Sequence, residues 1–181
     1  GATNQPNMNI CGAQCWYNQS IAVDPADPNT VWIGGNLATA SSSDGGNTWT
    51  LRTWWLYSQM ETLVPPHAPL PYAHADHHAA VFKTTGTKTL ILGDDGGFNV
   101  STDNGATFSS DKNNGITSHL YYTIAGNSKF PNLVIGGLQD NGTRLRTDNG
   151  SIYNQVIGGD GLGSDYSQQN TNTVIGSAQG S

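Results

Sequence analysis

The sequence predicts an all-β protein built from repeated units of four antiparallel strands. Three observations lead there. An eight-residue motif, S-x-D-x-G-x-T-W, stands at Ser42–Trp49 and returns at Ser101–Phe108 with Phe in place of Trp. An apolar run ending in glycine precedes each copy. No stretch shows the 3.6-residue apolar period of an amphipathic helix. Self-similarity at a period near 40 residues is the mark of repeat folds with four-stranded blades.

Each unit opens on a short apolar strand. Ser20-Ile21-Ala22-Val23 leads into the Pro-rich turn Asp24–Asn29, and Ala79–Phe82 and Tyr121–Ala125 take the same place in later units. The second strand is the apolar-to-glycine run: Val31–Gly35, Leu90–Asp94, Leu133–Gly137 and Thr173–Ser177. Its glycines recur at Gly34, Gly93, Gly136 and Gly176, at intervals of 59, 43 and 40 positions. The third and fourth strands flank the S-x-D motif. Its Asp and Gly make a turn in which the carboxylate accepts backbone N–H groups, and the closing aromatic anchors the hairpin in the apolar layer. Ten positions separate Gly34 from Asp44 and Gly93 from Asp103. The third unit has drifted to twelve, Gly136 to Asp148, and carries a worn motif at Arg146–Ser151. The expected units run over about 16–60, 76–115, 119–157 and an incomplete 162–181, within one repeat region spanning 1–181. An insertion at 51–75 accounts for the longer first interval.

Composition limits function. Thirteen acidic residues against seven basic ones give a net charge of −6. So few Lys and Arg argue against nucleic-acid binding and against an anionic membrane surface. No run is apolar enough to suggest membrane insertion. Gly1-Ala2-Thr3 shows neither an initiating Met nor a signal-peptide pattern, so the expectation is a processed product or a piece of something longer. Cys11 and Cys15 lack the second pair of a structural zinc site. A local disulfide in an oxidising compartment is the expected state, with two free thiols as the alternative. Four N-x-S/T matches begin at Asn18, Asn99, Asn141 and Asn149, as chance allows in a chain this rich in Asn and Ser.

The motifs resemble those of the BNR/Asp-box propellers, a group that includes sialidases, xyloglucanase-type glycoside hydrolases and sortilin/VPS10 ectodomains. Asp76-His77-His78-Ala79, Gly93-Asp94-Asp95-Gly96-Gly97, Gly136–Gly142 and Gly158-Gly159-Asp160-Gly161 are similar to the D-Q-H-A, G-N-D-G-G, G-G-L-Q-D-N-G and G-G-D-G segments of large secreted bacterial proteins with VPS10-like repeats. His77 and Asp94 depart from the usual Gln and Asn. The resemblance implies propeller blades, with Asp44, Trp49, Asp103, Phe108 and Asp148 as structural Asp-box positions. It also implies an extracellular or cell-surface location. Three units and part of a fourth are fewer than the 4 to 8 blades of a closed ring, so further chains or further sequence would complete it.

Three functions stay open. The chain is an interaction or scaffold module, a glycoside hydrolase-like propeller, or a non-catalytic carbohydrate-binding module. Glycoside hydrolysis needs a carboxylate pair, and with Glu61 the only glutamate the pair would come from Asp. Asp76 and Asp160 are the catalytic candidates, against the alternative that both are turn formers. Trp54, Trp55, Tyr57 and Tyr72, in and beside the Pro-rich insertion, offer flat faces for a sugar. His78, Asp95, Gln139 and Asp140 are the polar ligand-binding candidates. His67, His74, His77 and His78 cluster around Asp76 without a standard zinc spacing. No motif assigns a cofactor. The turns Asp94–Gly96 and Asp140–Gly142 supply hard oxygens that calcium could use, though neither is a twelve-residue EF-hand loop. The expected partner is a carbohydrate or a protein.

Overall fold

The computed structural model describes residues 9–55 and 70–180. The chain is all-β, and its antiparallel sheets are of the kind that form propeller blades. The one helical piece among the described residues is a 3₁₀ turn at Asp111–Asn113. The chain divides into two compact units, residues 1–115 and 116–181.

The first unit opens with a four-stranded sheet. Strands β1 (Ser20–Asp24), β2 (Asp27–Gly34), β3 (Ala38–Ser42) and β4 (Thr50–Trp54) lie in chain order. Asp24 closes the first hairpin by accepting the Ala26 N–H at 3.0 Å. Every residue of β3 is buried, which is why the strand is written in Ala, Thr and Ser. Its Thr39 hydroxyl pairs with that of Thr53 at 2.8 Å, satisfying two polar groups that water does not reach. On one face Ile10, Ala38, Ala40 and Trp54 form a core with Trp49 and Leu51. On the other, Trp32 packs with Phe82, Leu90 and Leu92 of the next sheet.

Among the described residues that next sheet has three strands where four were expected: β5 (His77–Lys83), β6 (Thr89–Asp94) and β7 (Gly97–Ser101). Among the described residues only Val100 and Ser109 pair beyond β7, in an isolated antiparallel bridge. The chain then turns into the 3₁₀ segment. There the Asn113 side-chain amide stands in for a strand, with Oδ1 accepting the Phe98 N–H at 2.8 Å and Nδ2 donating to the Phe98 carbonyl at 3.0 Å. One side-chain amide replaces a backbone pair, so the edge is capped without a fourth strand.

The second unit holds β8 (Tyr121–Asn127), β9 (Phe130–Leu138), β10 (Gly142–Arg146) and β11 (Asn154–Ile157) in one sheet, and β12 (Gly161–Tyr166) paired with β13 (Val174–Ala178) in another. Glycine explains how closely these sheets approach. A Cβ on Gly137 would stand 2.2 Å from the Leu162 carbonyl, and one on Gly161 would stand 2.4 Å from the Gly142 carbonyl. The Gly-rich motifs at 136–142 and 158–161 are therefore contact surfaces for backbone against backbone.

Candidate functional site

The two S-x-D-x-G-x-T turns fold alike. Asp44 Oδ1 accepts the Thr48 N–H at 2.8 Å and the Ser42 hydroxyl at 2.7 Å, while Oδ2 accepts the Thr48 hydroxyl at 2.5 Å. Asp103 makes the same three contacts with Thr107 and Ser101, at 3.0, 2.7 and 2.7 Å. The Thr hydroxyl, then the Thr N–H and the Ser hydroxyl, hold both carboxyls down at about 2. Trp49 and Phe108 pack against the two cores of the first unit as the motif requires. Among the described residues Asp148 accepts only the Gly150 N–H, at 2.8 Å, since its turn lacks the Thr that the other two supply.

Polar and aromatic candidates gather at one end of the first unit, where the β2–β3 and β6–β7 connections meet the segment leading into β5. Asp76 sits there with a left-handed backbone, φ 64°. Its Oδ1 accepts the side-chain amides of Asn18 and Asn36, the latter at 2.5 Å, and its N–H donates to the Asn36 carbonyl at 2.9 Å. Asn18 is 1% exposed, so Asp76 ties the 11–18 segment to the sheet. Cys11 and Cys15 lie at disulfide distance, with 1.99 Å between sulfurs, and close that segment into a short loop.

His77, next along, is fully buried, and neither ring nitrogen has a hydrogen-bond partner. Its Nδ1 lies 3.8 Å from Asp94 Oδ2, whose side chain is also shut away from solvent. Burial drives the imidazole down to about 4 and the Asp94 carboxyl up to about 6. Asp94 is held by the Asn99 amide at 2.6 Å and the Gly96 N–H at 3.0 Å. At neutral pH the pair is a neutral ring beside a carboxylate that two donors satisfy. His77 and Asp94, the two residues that depart from the motifs they resemble, thus both lie in the interior.

His78 points the other way. Its Nε2 meets Asp95 Oδ1 at 2.8 Å, and both side chains are about one-third exposed. The Tyr17 ring stands edge-on to the imidazole, 5.1 Å between centroids. Sequence reasoning missed Tyr17 and Trp16. The available signal was two adjacent aromatics directly after the C-x3-C loop.

Among the described residues no group of three or more His, Cys, Asp or Glu side chains gathers to hold a metal ion. No family model matches the chain, and no curated protein matches it. Solved structures similar to it include an ancestral GH74 enzyme (14% identity over 90% of this chain, TM-score 0.37) and a GH74 enzyme from Niastella koreensis (16% over 89%, TM-score 0.26). The chain spans only 24% and 31% of those two structures. Likeness at this level assigns no activity.

The remaining candidates divide between the units. Trp54 is 7% exposed and belongs to the core, so its ring is not offered to a sugar. Trp55 is half-buried with its ring near His74, 6.5 Å between centroids. Tyr72 bridges to Trp54 and is 37% exposed. Tyr57 and His67 lie outside the described residues. In the second unit Asp160 Oδ1 accepts the Asp140 N–H at 2.7 Å, and Asp140 has a left-handed backbone, φ 57°. Gln139 is half-buried, and its N–H donates to the Leu120 carbonyl at 3.0 Å. Asp76 and Asp160 fall in different units, and each is engaged with groups of its own unit.

Proposed function

We propose that the chain supplies Asp-box blades of a secreted or surface-exposed propeller, and that these blades act as an interaction module without hydrolytic activity. One observation supports this above the others: the motif carboxylates are occupied in holding backbone and amide groups. Asp44 and Asp103 accept N–H and O–H donors of their own turns, and Asp76 and Asp160 accept N–H donors from other segments. A general acid needs a raised carboxyl that substrate can reach. Asp94 is raised to about 6, but its side chain is fully enclosed. The cysteine loop suits an oxidising compartment, which agrees with an extracellular site of action.

The glycoside hydrolase reading is the rival, and it is tested directly. A panel of neutral and acidic polysaccharides is incubated with the full chain, and new reducing ends are counted. The expectation is no release above a protein-free control. Release that vanishes in Asp76→Asn or Asp160→Asn, with the fold retained, would establish catalysis and defeat the module reading.

A further inference from the structure

We propose that Trp16, Tyr17, His78 and Asp95 form a binding platform for neutral glycan chains. This inference rests on the module reading and gives it a ligand class. Trp16 is 80% exposed and Tyr17 63% exposed, far more than rings of this size show when they serve only to pack. The two are neighbours, with 5.8 Å between centroids and a 46° tilt. Tyr17 leads on to His78, and His78 to Asp95, so rings and hydrogen-bonding groups form one continuous row. Aromatic faces bind the C–H faces of a sugar ring, and an adjoining imidazole and carboxylate bind its hydroxyls. A few placed polar groups beside apolar surface is the usual composition of a small-molecule site.

The row is held in place from below. The Cys11–Cys15 loop carries Trp16 and Tyr17, and the Tyr17 N–H donates to the Gln14 carbonyl at 2.8 Å. Asn18, the next residue, is buried and donates its side-chain amide to Asp76 and, at 3.2 Å, to Gln14. A ligand therefore meets rings whose backbone is already fixed, which lowers the ordering cost of binding. Charge selects the ligand class. Asp95 lies in the row, the chain carries −6 overall, and an anionic glycan would be repelled.

The test is calorimetric titration of the full chain with cellohexaose and chitohexaose, with polygalacturonate oligomers as the anionic control. Wild type should bind at least one neutral probe and not the control. Trp16→Ala and Tyr17→Ala should each weaken binding by about tenfold or more, and Trp16→Phe should recover part of the loss. Both positions are exposed, so the variants should keep the wild-type circular dichroism and melting temperature. No binding of either neutral probe up to millimolar concentration overturns the inference, as does equal affinity in the alanine variants. Binding that favours the anionic control also overturns it. In that last case, and where a protein but no glycan binds through Trp16, the module reading survives. Chromatography of the same mixtures tests that reading separately, because cleaved probe would defeat it whatever the alanine variants do.

Discussion

Asp44 and Asp103 show how a carboxylate becomes part of a turn. Each is fixed by a Thr hydroxyl, a Thr N–H and a Ser hydroxyl, and each is held at about 2, below the ordinary carboxylate value. A lowered folded pKa contributes stability that is present above about pH 4 and disappears as pH falls through about 2. The buried pair behaves differently. His77, lowered to about 4, contributes stability present above about pH 6.5 and lost as pH falls towards 4. Asp94, raised to about 6, acts in the opposite sense: its contribution is present below about pH 4 and is lost as pH rises through 6. The two offset one another between about pH 4 and 6. Urea midpoints measured against pH should therefore change little across that window and drop below pH 4. Asp44→Asn with Asp103→Asn should flatten the drop. An unaltered drop in the double variant would mean that these turns are not its source.

At the scale of elements, glycine decides which turns tolerate change. Gly105, in the second S-x-D turn, has φ +79°, and a Cβ there would stand 2.2 Å from the Trp32 ring. Gly115 has φ +89° and open space around it. Gly105→Ala should cost about 2–4 kcal/mol, combining left-handed strain with a clash in the core, whereas Gly115→Ala should cost only about 1–2 kcal/mol from strain. Equal losses in urea unfolding would contradict the packing of the turn on Trp32. The turns themselves were legible in the sequence, because S-x-D-x-G-x-T names both the acceptor and its donors. The missing fourth strand of the second sheet was not. Asn113 takes over the Phe98 backbone pair from within a polar segment that carries no strand or helix signal. Trp54 and Trp55 illustrate the same limit. Trp54 ends β4 with its ring in the core while Trp55 follows just past the strand, half-buried beside His74, and the insertion hid which of them meets the core.

Across the whole molecule, the period of the glycines and apolar runs revealed the all-β architecture, because each repeat is a supersecondary unit with a local sequence signature. The candidate site was legible only in part. His78 and Asp95 stood out through their motifs, but Tyr17 meets His78 across some sixty positions of sequence, and no local pattern encodes that meeting. Within the units, apolar strand residues remain open to solvent, Ile21 at 68% and Ile175 at 70%.

The central claim is that the motif carboxylates are structural, and Asp76 is where structure and catalysis predict opposite results. A carboxylate kept for chemistry is commonly removed at no cost in stability, or with a gain. Asp76 accepts two side-chain amides, one of them from the buried Asn18. Urea unfolding of Asp76→Ala beside wild type is the most direct measurement. The account predicts a loss of about 2–4 kcal/mol, from bonds to a charged acceptor and an amide left unsatisfied. Stability equal to or above wild type would contradict it and return Asp76 to the list of catalytic candidates.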